Sequence, residues 1–145
     1  MRFAMILAAA AAGLLTAAAS AHHAFSTEFD VNRPVTLKGK VTKVELINPH
    51  SWIHVEVTDE KGNAVEWMIE GGSPNALVRR GINKNSIPIG SELVIRGYGT
   101  RDGSNKAVGR DITFADGSKI FLGSSGTGAP YEAEAVAQRE EAGRC

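Results

Sequence analysis

The chain has 145 residues, with 16 Lys and Arg against 16 Asp and Glu, four histidines and one cysteine. So even a balance lacks the strongly basic signature of a protein held to nucleic acid by counterion release. A single cysteine, at Cys145, excludes an internal disulfide.

Residues 1–21 open with Arg2, run through an alanine-rich apolar stretch and close on Ala19-Ser20-Ala21, the small-x-small pattern of a cleavable export signal. The apolar run is shorter and richer in alanine than the roughly 20 strongly apolar residues of a stable membrane span, so no span is expected once the signal is removed. Cleavage after Ala21 removes 21 of the 145 residues and leaves 124, beginning at His22. No cysteine lies near the cut to carry a lipid. The expected location is periplasmic or secreted, and a chain of this size makes one domain with a modest core.

Residues 22–34 read as an N-terminal arm and 35–123 as the folded domain. From Val35 the sequence "VTLKGKVTKVELI" alternates apolar and polar residues with the period of a half-buried strand, and the apolar parity swaps at Lys43 and Val44. Such a slip within one strand predicts a β-bulge near Thr42 to Val44. Pro49 breaks the run, "SWIHVEVTD" resumes it, and "AVEWMIE" follows the turn "EKGN" as a third strand. The period then changes. Ser73 is placed to cap a helix over about 74–80, with Pro74 at its first position, Ala76, Leu77 and Val78 facing the core and Gly81 ending it. Strands return around Glu92 to Tyr98, Ala107 to Phe114 and Lys119 to Leu122, separated by turns at "RDGSN" and "ADG". The glycine- and serine-rich stretch and charged end at 124–145 read as a flexible tail. The fold class expected is all-β with one short helix, a small five-stranded OB-like β-barrel, with a β-sandwich as the alternative.

The stretches "AHHAFSTEFD", "VTLKGKVTKVELINPHSWIHVEV", "WMIEGGSPNALVRRGI", "GSELVIRGYGTRDGSNKAVGRDITFADGSKIF" and "GSSG" together resemble a bacterial family of small exported domains of unknown function. The resemblance spans about His22 to Gly126 and implies a periplasmic or secreted β-barrel-like domain. It implies no activity, and its pattern attaches to His50 rather than to His54.

His22, His23, His50 and His54 all fall in the first third of the chain that cleavage leaves. Neutral imidazole is a ligand for copper and zinc, and a free amine beside the imidazole of the same residue can chelate one ion. Signal cleavage would create that pair at His22. His50 and His54 stand about 13 Å apart along a regular strand at roughly 3.3 Å per residue, so they do not share an ion unless the backbone bends at Pro49. His50, in an Asn-Pro-His turn at a sheet rim, is the better third donor, with Glu70 and Asp30 as oxygen donors. The metal set expected is therefore His22, His23 and His50, for copper or zinc. The competing reading makes the histidine pair a tail and His50 a turn-fixing hydrogen bonder.

A second group, Trp52, His54, Trp67 and Glu70, is placed to bind a small molecule or an envelope protein on the barrel face, against the alternative that both tryptophans are core residues. No catalytic residue is assigned: the chain carries no His-Glu-x-x-His or Gly-x-Ser-x-Gly pattern, and "GGSPN" lacks the lysine of a phosphate loop. An amino-terminal-histidine oxidase is a third hypothesis, conditional on the metal site.

Overall fold

The computed structural model describes residues 25–123 and, apart from them, residue 130. Among these residues the chain forms six strands: β1 (Phe29–Ile47), β2 (His50–Thr58), β3 (Ala64–Gly71), β4 (Glu92–Thr100), β5 (Lys106–Phe114) and β6 (Lys119–Phe121). One α-helix, α1 (Pro74–Arg79), and a 3-10 turn at Lys84–Ser86 lie between β3 and β4. A helical turn at residues 25–28 leads into β1.

The strands make one sheet in the order β3-β2-β1-β4-β5-β6, antiparallel between neighbours. A parallel contact of Met68, Ile69 and Glu70 with Lys106, Ala107 and Val108 joins β3 back to β5. The pairings therefore run round as a ring, β1-β2-β3-β5-β4-β1. The sandwich alternative needs two packed sheets and gives way to this single one. Five strands form the ring, and β6 lies outside it, paired with Asp111 to Thr113 of β5.

β1 serves two neighbours because it bends. Its pairing with β2 slips between Val41 and Lys43, so Val41 faces Val55 while Lys43 faces His54, and Thr42 is the extra residue. The bulge lets Val41 and Val44, three residues apart, both pack against one core. β1 starts six residues ahead of the alternation at Val35, in what reads from sequence as arm. The reason is Phe29, only 2% exposed, which packs with Phe25, Val108 and the ring of Tyr98 on the outer side of β4 and β5. The β1–β4 pairing is irregular between Phe29 and Pro34. There the Asn32 amide donates to Asp30 Oδ1 at 2.9 Å, so Asp30 shapes the backbone.

Inside the ring, Ile53, Val55, Ile69, Ile95 and Ile112 are fully or almost fully buried, and Trp67 packs against them half-buried. Ser73 caps α1, its Oγ accepting from the Ala76 amide at 3.3 Å, with Pro74 at the helix start and Gly81 beyond its end at φ +80°. Leu77 is buried, but Val78, expected to face the core beside it, is exposed. A six-residue helix turns only one such position fully inward.

The turn after β4 is drawn tight by Asp102, whose Oδ1 accepts from the Ser104 amide at 2.9 Å. That bond, with the hydroxyls of Thr100 and Ser104, holds the carboxyl down to about 2, below its ordinary 3.8. A depressed carboxyl contributes stability that is present above its unfolded value and is lost as pH falls through its folded one. The turn is therefore expected to keep its form down to about pH 4 and to loosen between about 4 and about 2, which a carbon-detected NMR titration of Asp102 reads directly; a midpoint near 3.8 would contradict it.

Candidate functional site

Alternation along β2 turns Ser51, Ile53, Val55 and Val57 into the ring and leaves His50, Trp52, His54 and Glu56 on its outer face. Register supplies their neighbours. β3 sets Glu70 opposite Trp52, Met68 opposite His54 and Glu66 opposite Glu56. β1, shifted by its bulge, sets Glu45 opposite Trp52 and Lys43 opposite His54. The β3–β5 closure brings Lys106 beside Met68.

Two polar groups result. In the middle of the face, His54 is buried, with Nε2 2.8 Å from Glu45 Oε2 and Nδ1 3.3 Å from Glu66 Oε1. Lys43 pairs with the same Glu45 at 2.7 Å. The hydrogen bonds from Lys43 first and His54 second hold the Glu45 carboxyl below its ordinary value. With both ring nitrogens occupied by carboxylates from the two flanking strands, His54 ties β1, β2 and β3 together and has no nitrogen left for a ligand.

At the rim where β2 begins, His50 Nδ1 lies 2.9 Å from Glu70 Oε1. Lys106 stands over the Trp52 ring, 4.9 Å from its centre, and pairs with Glu28 from the turn ahead of β1. Burial pushes the Glu70 carboxyl above its ordinary value and the charge of Glu28 adds to the rise, while His50 and Lys106 oppose it. Exposed Ile47 flanks His50 across the strand pair.

The structure thus brings His50, Glu70 and Trp52 together and sets His54 apart from them. It sets the tryptophans on different faces: Trp52 faces outward, and Trp67, opposite Val55, packs toward the core. Asp30 is engaged with its own backbone. Among the described residues no three His, Cys, Asp or Glu side chains are grouped to hold a metal ion. His22, His23 and Cys145 lie outside the described residues. Glu28, Glu45, Glu66 and Lys106 are the contributors that sequence reasoning leaves out. Alternation marks Glu45 and Glu66 as outward, but only the register carries them to His54.

Fold and rim together define a small β domain with a ring of strand pairings and a histidine–carboxylate rim where its amino-terminal segment enters. None of its helices among the described residues is long and apolar enough to cross a membrane. The chain belongs to the family of unknown function designated DUF6152, whose family model matches residues 10–110. No curated protein and no solved structure matches it.

Proposed function

We propose that this is an exported, non-enzymatic binding domain of a bacterial envelope, in which cleavage after Ala21 frees His22 to take a transition metal, copper above zinc, with help from His23 or His50. In this reading residues 1–21 are the signal peptide, the ring of five strands with a helix between β3 and β4 is an OB-like barrel, residues 124–145 are its tail, and the location is periplasmic or secreted.

One observation supports the metal reading: the chain enters the described fold at the rim that holds Lys106, which pairs with Glu28 and stands over Trp52, two residues from His50. Phe25 is packed on Phe29 and Tyr98, and the carbonyl of Ser26 accepts from Arg101 Nε at 2.7 Å. Glu28 pairs with Lys106 and acts on Glu70, the partner of His50. His22 stands three residues ahead of Phe25, a reach of about 10 Å when extended. Amine and imidazole nitrogens suit Cu(II) better than the hard cations.

The test is Cu(II) and Zn(II) titration with a weak competitor, on protein whose mass confirms His22 as its first residue, beside a version carrying one alanine before it. Affinity is expected to fall by about tenfold or more in the extended form, since the extra residue removes the amine from the chelate. Equal, weak binding by both would remove the metal reading. It would favour the second one, an interaction module for an envelope protein or small ligand centred on outward Trp52, with Ile47 and Met68 exposed on the neighbouring strands.

A further inference from the structure

We infer that the outer face of β4, β5 and β6, where Arg80, Arg96, Arg110 and Lys119 surround the ring of Phe121, is the docking surface for this chain's own acidic segment at 130–141. The contact involves no residue of the histidine rim.

The strand registers build that face. Arg96 of β4 stands opposite Asp111 of β5, and Asp111 stands opposite Phe121 of β6, so the three side chains form one row across the sheet. Arg96 holds both oxygens of Asp111, at 3.0 Å each, and Arg110 Nε lies 3.6 Å from Oδ2 of the same carboxylate. One carboxylate thus serves two guanidiniums. At the end of the row Arg80 lies over the Phe121 ring, 5.2 Å from its centre, and its Nη1 donates to the carbonyls of Phe121 and Gly123 at 3.3 and 2.7 Å. Carbonyls accept those bonds without cancelling the charge. Lys119 stands two residues before Phe121 on the same side of β6, and both are exposed.

The point at which the chain leaves the fold identifies the occupant. Arg80 holds the Gly123 carbonyl, and the Gly123 amide donates to the Arg110 carbonyl at 3.3 Å, so the chain departs from the edge of this patch. Six small residues, 124–129, follow, and they reach at most about 20 Å. Residues 130–141 then supply Tyr131, Glu132, Glu134, Glu140 and Glu141, against Arg139 alone. Carboxylates and a ring are what a face of cations and a ring accepts. A tether this short holds the two at an effective concentration on the order of millimolar. The β2–β3 face repels the segment instead, for Glu56 and Glu66 stand opposite one another there. Docking within one chain also withholds the basic face from other acidic chains.

A nitroxide at position 135, introduced by Ala135→Cys with Cys145→Ser in the full chain, tests this through amide NMR signals compared with the label oxidised and reduced. Signal loss is expected in residues 94–96, 110–113 and 119–121, with residues 54–57 and 64–67 spared. Glu132→Gln, Glu134→Gln, Glu140→Gln and Glu141→Gln, made together, are expected to restore the signals. All four lie outside residues 25–123, so the folded part is unchanged. Molar salt, with a Debye length of about 3 Å, is expected to act in the same way.

Even loss over the whole surface would overturn the inference, and so would loss centred on β2 and β3. Loss that survives both the glutamine variant and salt would overturn it too, because charge would then not hold the segment. Loss passed from labelled chains to unlabelled ones in a mixture would make a second copy the source of the segment, against docking within one chain.

Discussion

Gly97→Ala is expected to cost about 3 kcal/mol or more, at the top of the range for overpacked sites, and in a domain of ordinary stability that is a large share of the total. A Cβ on Gly97 would stand 2.0 Å from the carbonyl oxygen of Val108, 3.0 Å from its carbon and 3.2 Å from the Cα of Gly109. All three are backbone atoms, so no rotamer change relieves the clash and β4 must part from β5. The site is fixed by register: Arg96 faces Asp111 but Gly97 faces Gly109, so Arg110 is an extra residue and the β5 backbone crosses close over β4 at that point. Gly99→Ala is the control, since its Cβ would meet Val35 Cγ1 at 3.4 Å and Arg33 O at 3.7 Å, ordinary contact. Urea denaturation of both variants decides the matter. Equal midpoints would show that the close approach at Gly97 does not constrain the sheet.

Ile69→Ala is expected to cost about 2–5 kcal/mol, the range for emptying a buried aliphatic site. Ile69 is fully buried and faces Ala107 in the three-residue parallel contact that closes the ring. Its Cγ2 lies 2.8 Å from where a Cβ on Gly109 would sit, and Leu122 Cδ1 lies 2.9 Å from the same point, so both side chains fill the space that glycine leaves. Truncation opens a cavity against the shortest pairing of the ring. Beyond the loss of stability, amide hydrogen exchange should quicken first in residues 68–70 and 106–108, ahead of the longer β1–β2 and β1–β4 ladders. Met68→Ala, at a neighbouring outward and exposed position, should cost under about 1 kcal/mol. Uniform acceleration of exchange across the sheet would argue that β3 and β5 do not open separately.

Where a sequence signal is local, it carries through. The parity swap at Lys43 and Val44 identifies the bulge because one inserted residue moves every later apolar side chain to the other face. Ser73 and Pro74 identify the start of α1 because a cap is made within a few residues. Entry at Phe29 is hidden, since the partners that hold it, Tyr98 and Val108, lie far along the chain. The candidate site divides in the same way. Alternation puts His50, Trp52 and His54 on one face and Glu66 and Glu70 on another strand of like pattern, but which carboxylate meets which imidazole depends on register across three strands. The separation of Trp52 from Trp67 follows from register as well, for each tryptophan taken alone fits either face.

The small aromatic cluster also imposes an order of events. Phe25 and Phe29 begin the described chain, whereas Tyr98 and Val108 come from strands made some seventy residues later, a separation that delays contact. The surface that receives Phe25 exists only once β4 and β5 have come together, so docking of the entry segment follows assembly of the sheet. An entry segment, residues 25–28, seated against β4 and β5 is then a sign of completed folding. A partially assembled chain, with its leading residues still loose, would not gather the groups that surround His50.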